Sequence, residues 1–396
     1  MLNAGASATF DFAAGLMLAR SYDLLIAGFW PARGTMSIQA ATIDARDFVE
    51  ANELFQARGW TDGLPIVPPS EELVEKMLTG IRRDPNEVVA AIAPRNAEAT
   101  VADIAINAVM AGCLPEYLPV VVAAVEAVAD PAFNLLAIQT TTHCCAPLIV
   151  INGPVRECLG LNSGTNCFGQ GSRANATIGR ALRLVLINIG GGIPGLTDKA
   201  TGGHPGKFSY CVAENEEASP WEPLHVAMGY SAQQSTVTVF AAEGPNNVSE
   251  HQSNDPEVIL TWCADALSKL GSNNLFAGGQ VFVALSAEHA RVVGNAGWSR
   301  QRARDYIFKR AGRPLRDLFF HSAISRKTVE GYRPYMAGKS DDTWVSIAER
   351  PEDLFLMVAG GEGRHSVVIC GWGGHMGNQV VTRVLPDYVN VCHVAT

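Results

Sequence analysis

Thr140-Thr141-Thr142-His143-Cys144-Cys145-Ala146-Pro147-Leu148-Ile149-Val150-Ile151 is the stretch from which the rest of the chain is read. Its second half is a short unbroken apolar, β-rich run, the pattern of a strand buried on both faces. Residues 135–139 form another apolar run, so two strands are expected to flank a polar loop at 140–147. Downstream, the Gly/Asn-rich residues 162–173 lead into an amphipathic helix over 174–189, stopped by Gly190-Gly191-Gly192. Residues 194–234 are irregular and polar, a length that points to a functional loop. Strands are expected at 235–242, 280–285, 354–359 and 366–371, and helices at 256–270 and 299–311, the latter opened by Ser299. No internal repeat is visible. Strands and helices mix without strict alternation, which predicts an α/β or α+β fold, a mixed sheet with flanking helices.

Upstream the pattern is mostly helical. Residues 45–58 read as a helix. Trp60-Thr61-Asp62-Gly63 then breaks the pattern, and the prolines of 64–69 force an extended segment. Ser70 caps a short helix with Leu73, Met77 and Leu78 on one face, and Thr100 caps a helix over 101–111. Pro115 begins a helix over 115–129 that is apolar nearly all round and so expected to be buried. The division that follows is 1–35 as an N-terminal extension, 36–132 as a helical N-terminal region, 133–252 as a mixed core carrying the site loops, and 253–396 as a C-terminal α/β region.

Composition bounds the function. Of 396 residues, 47% are hydrophobic and 17% charged, enough apolar material for a large core. The formal net charge of −9, without a basic run, sets aside nucleic acid and anionic membranes as partners. No apolar run is long enough for a membrane span. The nine cysteines are odd in number and contain no CxxC, so a reducing, cytoplasmic setting with free thiols is expected. Cys263, Cys370 and Cys392 sit in apolar surroundings and read as structural.

Four stretches could carry chemistry. In the 140–147 loop, His143 could share a proton with Cys144 or Cys145 and make a thiolate; the plainer alternative is two buried thiols and a backbone-bonded imidazole. At the helix entry, Asn162, Gly164, Arg173 and Asn175 could hold an anion on free N–H groups, or simply cap the helix. The densest stretch, 204–225, holds His204, Lys207, Glu214, Glu217, Trp221 and His225, types suited to acid–base work or metal ligation, although no HExxH spacing is present. An acidic run such as 214–217 is also an ordinary solvated face. The glycine turns around Arg364, His365, Trp372 and His375 suit a ligand against the backbone or merely tight turning.

Trp60-Thr61-Asp62-Gly63-Leu64-Pro65-Ile66-Val67-Pro68-Pro69, Ala105-Ile106-Asn107-Ala108-Val109-Met110-Ala111-Gly112-Cys113, Asn175-Ala176-Thr177-Ile178-Gly179-Arg180 and the 213–223 run together resemble a bacterial family, the larger proteins associated with the UGSC (selenocysteine-Gly-Ser-Cys) group. The resemblance runs from about residue 58 to about 385 and implies a link to small thiol or selenol redox proteins; no reaction carries over from it. Its likeness around His143 does not extend to the two following cysteines, which favours His143 and the glutamates as the reactive groups. The expectation is an enzyme on a small anionic or carbonyl-containing molecule, using His143 with Glu214 or Glu217 as proton carriers; lyase, hydrolase and thiol-linked oxidoreductase stay open. A metal-dependent hydrolase or lyase and a non-catalytic partner of a redox protein are the alternatives, and cofactor, metal and homo-oligomeric state are left undetermined. His143, Asn175, Lys207, Glu214 and Glu217 are expected to meet in one pocket.

Overall fold

The computed structural model describes residues 22–26, 41–319, 325–374 and 377–387. His375, Cys392 and most of the expected extension at 1–35 lie outside them. Strand β1 (Tyr22–Ile26) pairs antiparallel with β2 (Ala41–Ala45). Helix α1 (Phe48–Ala57) starts at Asp47, whose carboxylate accepts from Glu50 N, and α2 (Glu71–Leu78) starts at Ser70, whose hydroxyl accepts from Leu73 N. The buried face of α2 is Val74 and Met77, with Leu78 partly buried beside them and Leu73 exposed, a face displaced by one residue from the expected stripe. A hairpin of β3 (Val88–Ile92) and β4 (Ala97–Thr100) was not visible in the sequence. Thr100 then forms a capping box with Asp103 at the start of α3 (Val101–Ala111), and α4 (Leu118–Ala129) follows a single 3-10 turn at Pro115.

Residues 135–139 are not a strand. They belong to α5 (Leu135–Thr140), entered through Asn134 in the left-handed region. Leu135, Ile138 and Gln139 are its buried side chains, a helical spacing that so short an apolar run hides. Next come β5 (Ala146–Asn152), α6 (Val155–Cys158), α7 (Arg173–Asn188), β6 (Cys211–Ala213), α8 (Leu224–Ala227), β7 (Thr236–Ala242) and β8 (Asn246–Ser249). The chain continues through α9 (Pro256–Leu267), α10 (Asn273–Ala277), β9 (Val281–Leu285), α11 (Ala287–Asn295), α12 (Arg300–Arg310), β10 (Gly312–Pro314), α13 (Leu315–Leu318), α14 (Arg326–Tyr332), β11 (Trp344–Ser346), β12 (Leu354–Val358), β13 (His365–Ile369) and β14 (Val381–Val384). Among the described residues no helix is long and apolar enough to cross a membrane.

Two four-stranded sheets carry the α/β body, in the orders β14-β7-β5-β6 and β12-β9-β13-β8. They lie face to face. Leu148, Val150, Phe240, Phe282, Ala284, Met357 and Ile369 fill the layer between them. The alternate residues Ile149, Ile151, Val237 and Val239 face away, into a core built with α3, α4 and α7. On the far side, Val281, Val283, Leu285, Leu356 and Val368 meet α9 and α12. Strict alternation on strands buried on both faces thus yields four layers, helix–sheet–sheet–helix.

The two sheets share one topology. In the first, central β5 pairs parallel with edge β6 and antiparallel with β7, which pairs antiparallel with β14. In the second, β9, β12, β13 and β8 hold the same places with the same directions. α4 and α9 precede the two central strands, while α7 and α12 stand between central and edge strand. The outermost strands are exchanged: β8 follows β7 in the chain but completes the second sheet, and β14 follows β13 but completes the first. At the crossing, Ala242 bridges Gly371, Glu243 N donates to Cys370 O at 2.9 Å, and Trp372 N donates to Ala241 O at 3.0 Å, a reciprocal pair. The sequence showed no repeat because this symmetry lies in the connectivity and not in matching side chains.

A side chain has no room at the crossing. A Cβ on Gly371 would stand 2.4 Å from Gln280 O, whereas one on Gly202 would meet nothing within 4 Å. Gly371→Ala is therefore expected to lower stability by about 1–3 kcal/mol in urea denaturation, with Gly202→Ala close to wild type.

Candidate functional site

The turn after β7 and the loop before β5 meet at one end of the first sheet. Glu243 is fixed there by its backbone bond at the crossing and is only 8% exposed. Its Oε1 is paired with His143 Nε2 at 3.0 Å, and its Oε2 accepts from Lys269 Nζ at 3.1 Å. The loop carrying His143 is braced by Trp372, whose indole N–H donates to Thr141 Oγ1. Glu243 and Lys269 open onto a cleft of about 730 Å³, also lined by Cys144, Phe168, His204 and Tyr210.

Burial works to raise the Glu243 carboxyl, but the His143 hydrogen bond and the Lys269 charge outweigh it and hold the group below its ordinary value. Burial likewise works to lower the Lys269 ammonium, while Cys370 and Glu243 beside it leave it raised. Carboxylate and ammonium therefore both stay charged at neutral pH. The Cys144 thiol is pushed up, first by burial and then by Glu243, so at rest it is a neutral thiol. His204 Nδ1 accepts from Gly206 N at 3.1 Å, which assigns the ring proton to Nε2, and burial lowers its pKa so that the ring stays neutral. That Nε2 is buried, and a backbone hydrogen bond to Ala242 works on the ring against the effect of burial. The cleft thus presents a fixed carboxylate, an ammonium and a thiol, with the His204 ring packed into its wall.

The expected meeting of His143 with Asn175, Lys207, Glu214 and Glu217 is only partly found. Cys144, His204 and Asn175 line the cleft and His143 backs it through Glu243. Cys145 turns the other way, into the helical core. Asn175, however, uses its amide on Asn162 O and N, closing the helix-entry loop on itself, while Gly164 N donates to Asn162 Oδ1. Arg173 donates twice to Gly112 O and does not face the cleft. The helix-entry loop is therefore satisfied internally, and its expected anion site is not formed from Arg173. Lys207 lines a neighbouring cavity, with its ammonium on both oxygens of Asp198.

Glu214 and Glu217 lie at the opposite end of β5, about 20 Å of extended strand from His143. Glu214 is fully buried, and its partners are Asn152 Nδ2, Leu224 N and Arg300, none of them from the 140–147 loop. Arg156 binds Glu214 O at 2.8 Å and Glu217 Oε1 at 2.7 Å, tying the turn after β6 to the turn after β5. His225 is buried beside this network, 4.0 Å from Glu216. Trp221 is an anchor: its indole N–H donates to Trp298 O. Arg364 and His365 are likewise occupied, by Glu288 and Asn247.

Glu243 and Lys269 were missed. Glu243 sits in Ala241-Ala242-Glu243-Gly244-Pro245, a lone acid ending an apolar strand before a Gly-Pro turn, and this was the available signal. Among the described residues no three His, Cys, Asp or Glu side chains gather into a metal-ligand set. Cys113, Cys144, Cys145, Cys167, Cys211, Cys263 and Cys370 are free, but Cys158 is disulfide-bonded, which corrects the expectation of uniformly reduced thiols. No family model and no curated protein matches the chain.

Two outcomes follow from the charges. Burial raises the Glu214 carboxyl from 4.5 to about 7. The folded state then holds a proton that the unfolded chain releases near 4.5, a benefit complete below that pH and lost as pH rises through 7, about 3 kcal/mol in all. His225, held low by burial, acts in the opposite sense, so the comparison is made by difference. Glu214→Gln should gain stability relative to wild type between pH 5 and 8 in thermal melts; a constant difference would refute the shift. Cys144, held as a thiol, should alkylate slowly at pH 7.5, and Glu243→Gln, removing the adjacent negative charge, should accelerate it severalfold by mass spectrometry.

Proposed function

We propose that the protein is an enzyme that moves protons on a small carbonyl-containing molecule bound in the Glu243 cleft. The observation that carries this reading is the Glu243 carboxylate, held between His143 and Lys269 on the wall of a cavity of about 730 Å³. A carboxylate so placed can accept a proton from a carbon next to a carbonyl or from water. His143 behind it donates its Nε2–H to the carboxylate, steadying the charge and the orientation of the base. The Lys269 ammonium is a donor suited to the oxygen on which negative charge then develops. Phe168 and Tyr210 supply an apolar wall for the rest of the molecule.

A raised, protonated Lys269 suits an electrophilic role and not Schiff-base attack, and a neutral Cys144 suits proton donation better than resting nucleophilic attack. A non-catalytic redox partner needs no such cleft with converging charges, which is why that reading ranks second. The resemblance to the UGSC-associated proteins belongs to the same proposal: a thiol or selenol partner would meet Cys144 at the cleft.

The reaction class is accessible without knowing the natural substrate. Purified protein in D₂O should accelerate exchange of the α-protons in members of a panel of small ketones and 2-oxo acids, followed by NMR. Glu243→Gln should reduce the rate about 10²-fold or more, and His143→Ala should lower it as well. Absence of any acceleration by the wild type, or an undiminished rate in Glu243→Gln, would remove the proposal.

A further inference from the structure

The turn at 203–208 has the cleft on one side and a second cavity, of about 280 Å³, on the other. Ile187, Pro194 and Phe208 give this cavity an apolar wall, and Arg183 gives it charge. Arg183 belongs to α7, farther along the same helix whose first residue, Arg173, had been expected to hold an anion.

Arg183 is 7% exposed. Its Nε donates to Lys207 O at 2.7 Å and its Nη1 to Gln139 Oε1 at 3.4 Å. Both acceptors are neutral, and a guanidinium has five N–H donors, so part of the fork stays uncommitted. The two carboxylates on the cavity wall are engaged elsewhere. Asp198 has both oxygens on Lys207 Nζ, at 2.8 and 2.6 Å. Asp62 has both on Arg180, each at 2.8 Å. Among the described residues, none lies within ion-pair distance of Arg183.

A buried cation without an anion is costly, and arginine does not relieve the cost by losing its proton. Burial lowers the pKa of this guanidinium, outweighing the pull of the Asp198 and Asp62 carboxylates, neither of which bonds to it. The volume is roughly that of nine waters, enough for a planar acid group and a short carbon chain. Inorganic phosphate would answer the charge but leave the Ile187, Pro194 and Phe208 wall against water. We infer that this cavity is a binding site for a short organic carboxylate, its acid group on Arg183 and its chain against that wall. The inference rests on the cavity alone and does not depend on the chemistry of the Glu243 cleft.

Calorimetric titration of the full chain with butyrate, acetate and inorganic phosphate tests it. Butyrate should bind saturably and more tightly than acetate or phosphate, and Arg183→Met should weaken it at least tenfold. Because removing a buried arginine endangers folding, Gly202→Trp provides an independent variant. Gly202 lines the cavity with open space at its Cβ position, so the indole should block the site and leave Arg183 in place. The inference is overturned if wild-type protein shows no saturable butyrate binding, if phosphate is preferred, or if Gly202→Trp or folded Arg183→Met binds butyrate as wild type does.

Discussion

The reciprocal backbone pair at the crossing, Glu243 N to Cys370 O and Trp372 N to Ala241 O, is the constraint on which the remaining architecture depends. It joins the ends of β7 and β13, the two strands after which the chain changes sheet. Each sheet is completed by a strand from the other half, so neither half closes its own hydrogen-bond ladder. The sheets are thereby held by backbone bonds in addition to the Phe240–Phe282 and Phe240–Phe355 edge-to-face contacts between them. Gly371 is small because backbone from a neighbouring strand occupies the space a Cβ would need.

The same pair explains where the chemistry sits. Glu243 and Trp372 are the two residues that donate across the crossing, and each then acts on the 141–143 loop: Glu243 on His143, Trp372 on Thr141. A carboxylate mounted on a doubly anchored backbone loses little further freedom when it binds a substrate. The two halves share a topology but not a site. Where the first half offers an acid at this position, the second offers an indole, packed at 6% exposure.

The charged residues divide by what burial demands. At the far end of β5, Arg156 and Arg300 draw the acidic run into a closed network, with Glu214 fully buried between hydrogen-bond donors. Such a network holds turns in place and presents no cavity to a ligand. At the near end, Glu243 and Lys269 satisfy each other and still face open space. Arg183 is the opposite case, a charge enclosed by neutral acceptors. Density of polar residues in the sequence therefore located the turns, and only their partners separate a tie from a site.

Much of the fold was legible in the chain itself. Ser70, Thr100 and Ser299 announce helix starts because a short side-chain acceptor meets free N–H groups within three residues. The 174–189 helix and the strands near 148, 238, 283, 356 and 367 follow from local periodicity, and with them the α/β class. His143, Cys144 and His204, which lie at the cleft, stood out in the chain because polar residues between apolar segments are visible locally. What local pattern could not give was every relation between distant segments. The 135–139 run was read as strand because four consecutive apolar residues fit either period. The exchanged β8 and β14, the pairing of His143 with a glutamate one hundred residues later, and the turning of Arg173 and Glu214 toward structural partners all depend on which segments become neighbours. Periodicity is a property of a few consecutive residues, whereas the site is made by the crossing of two strands far apart in the chain, and that crossing exists only in the tertiary structure.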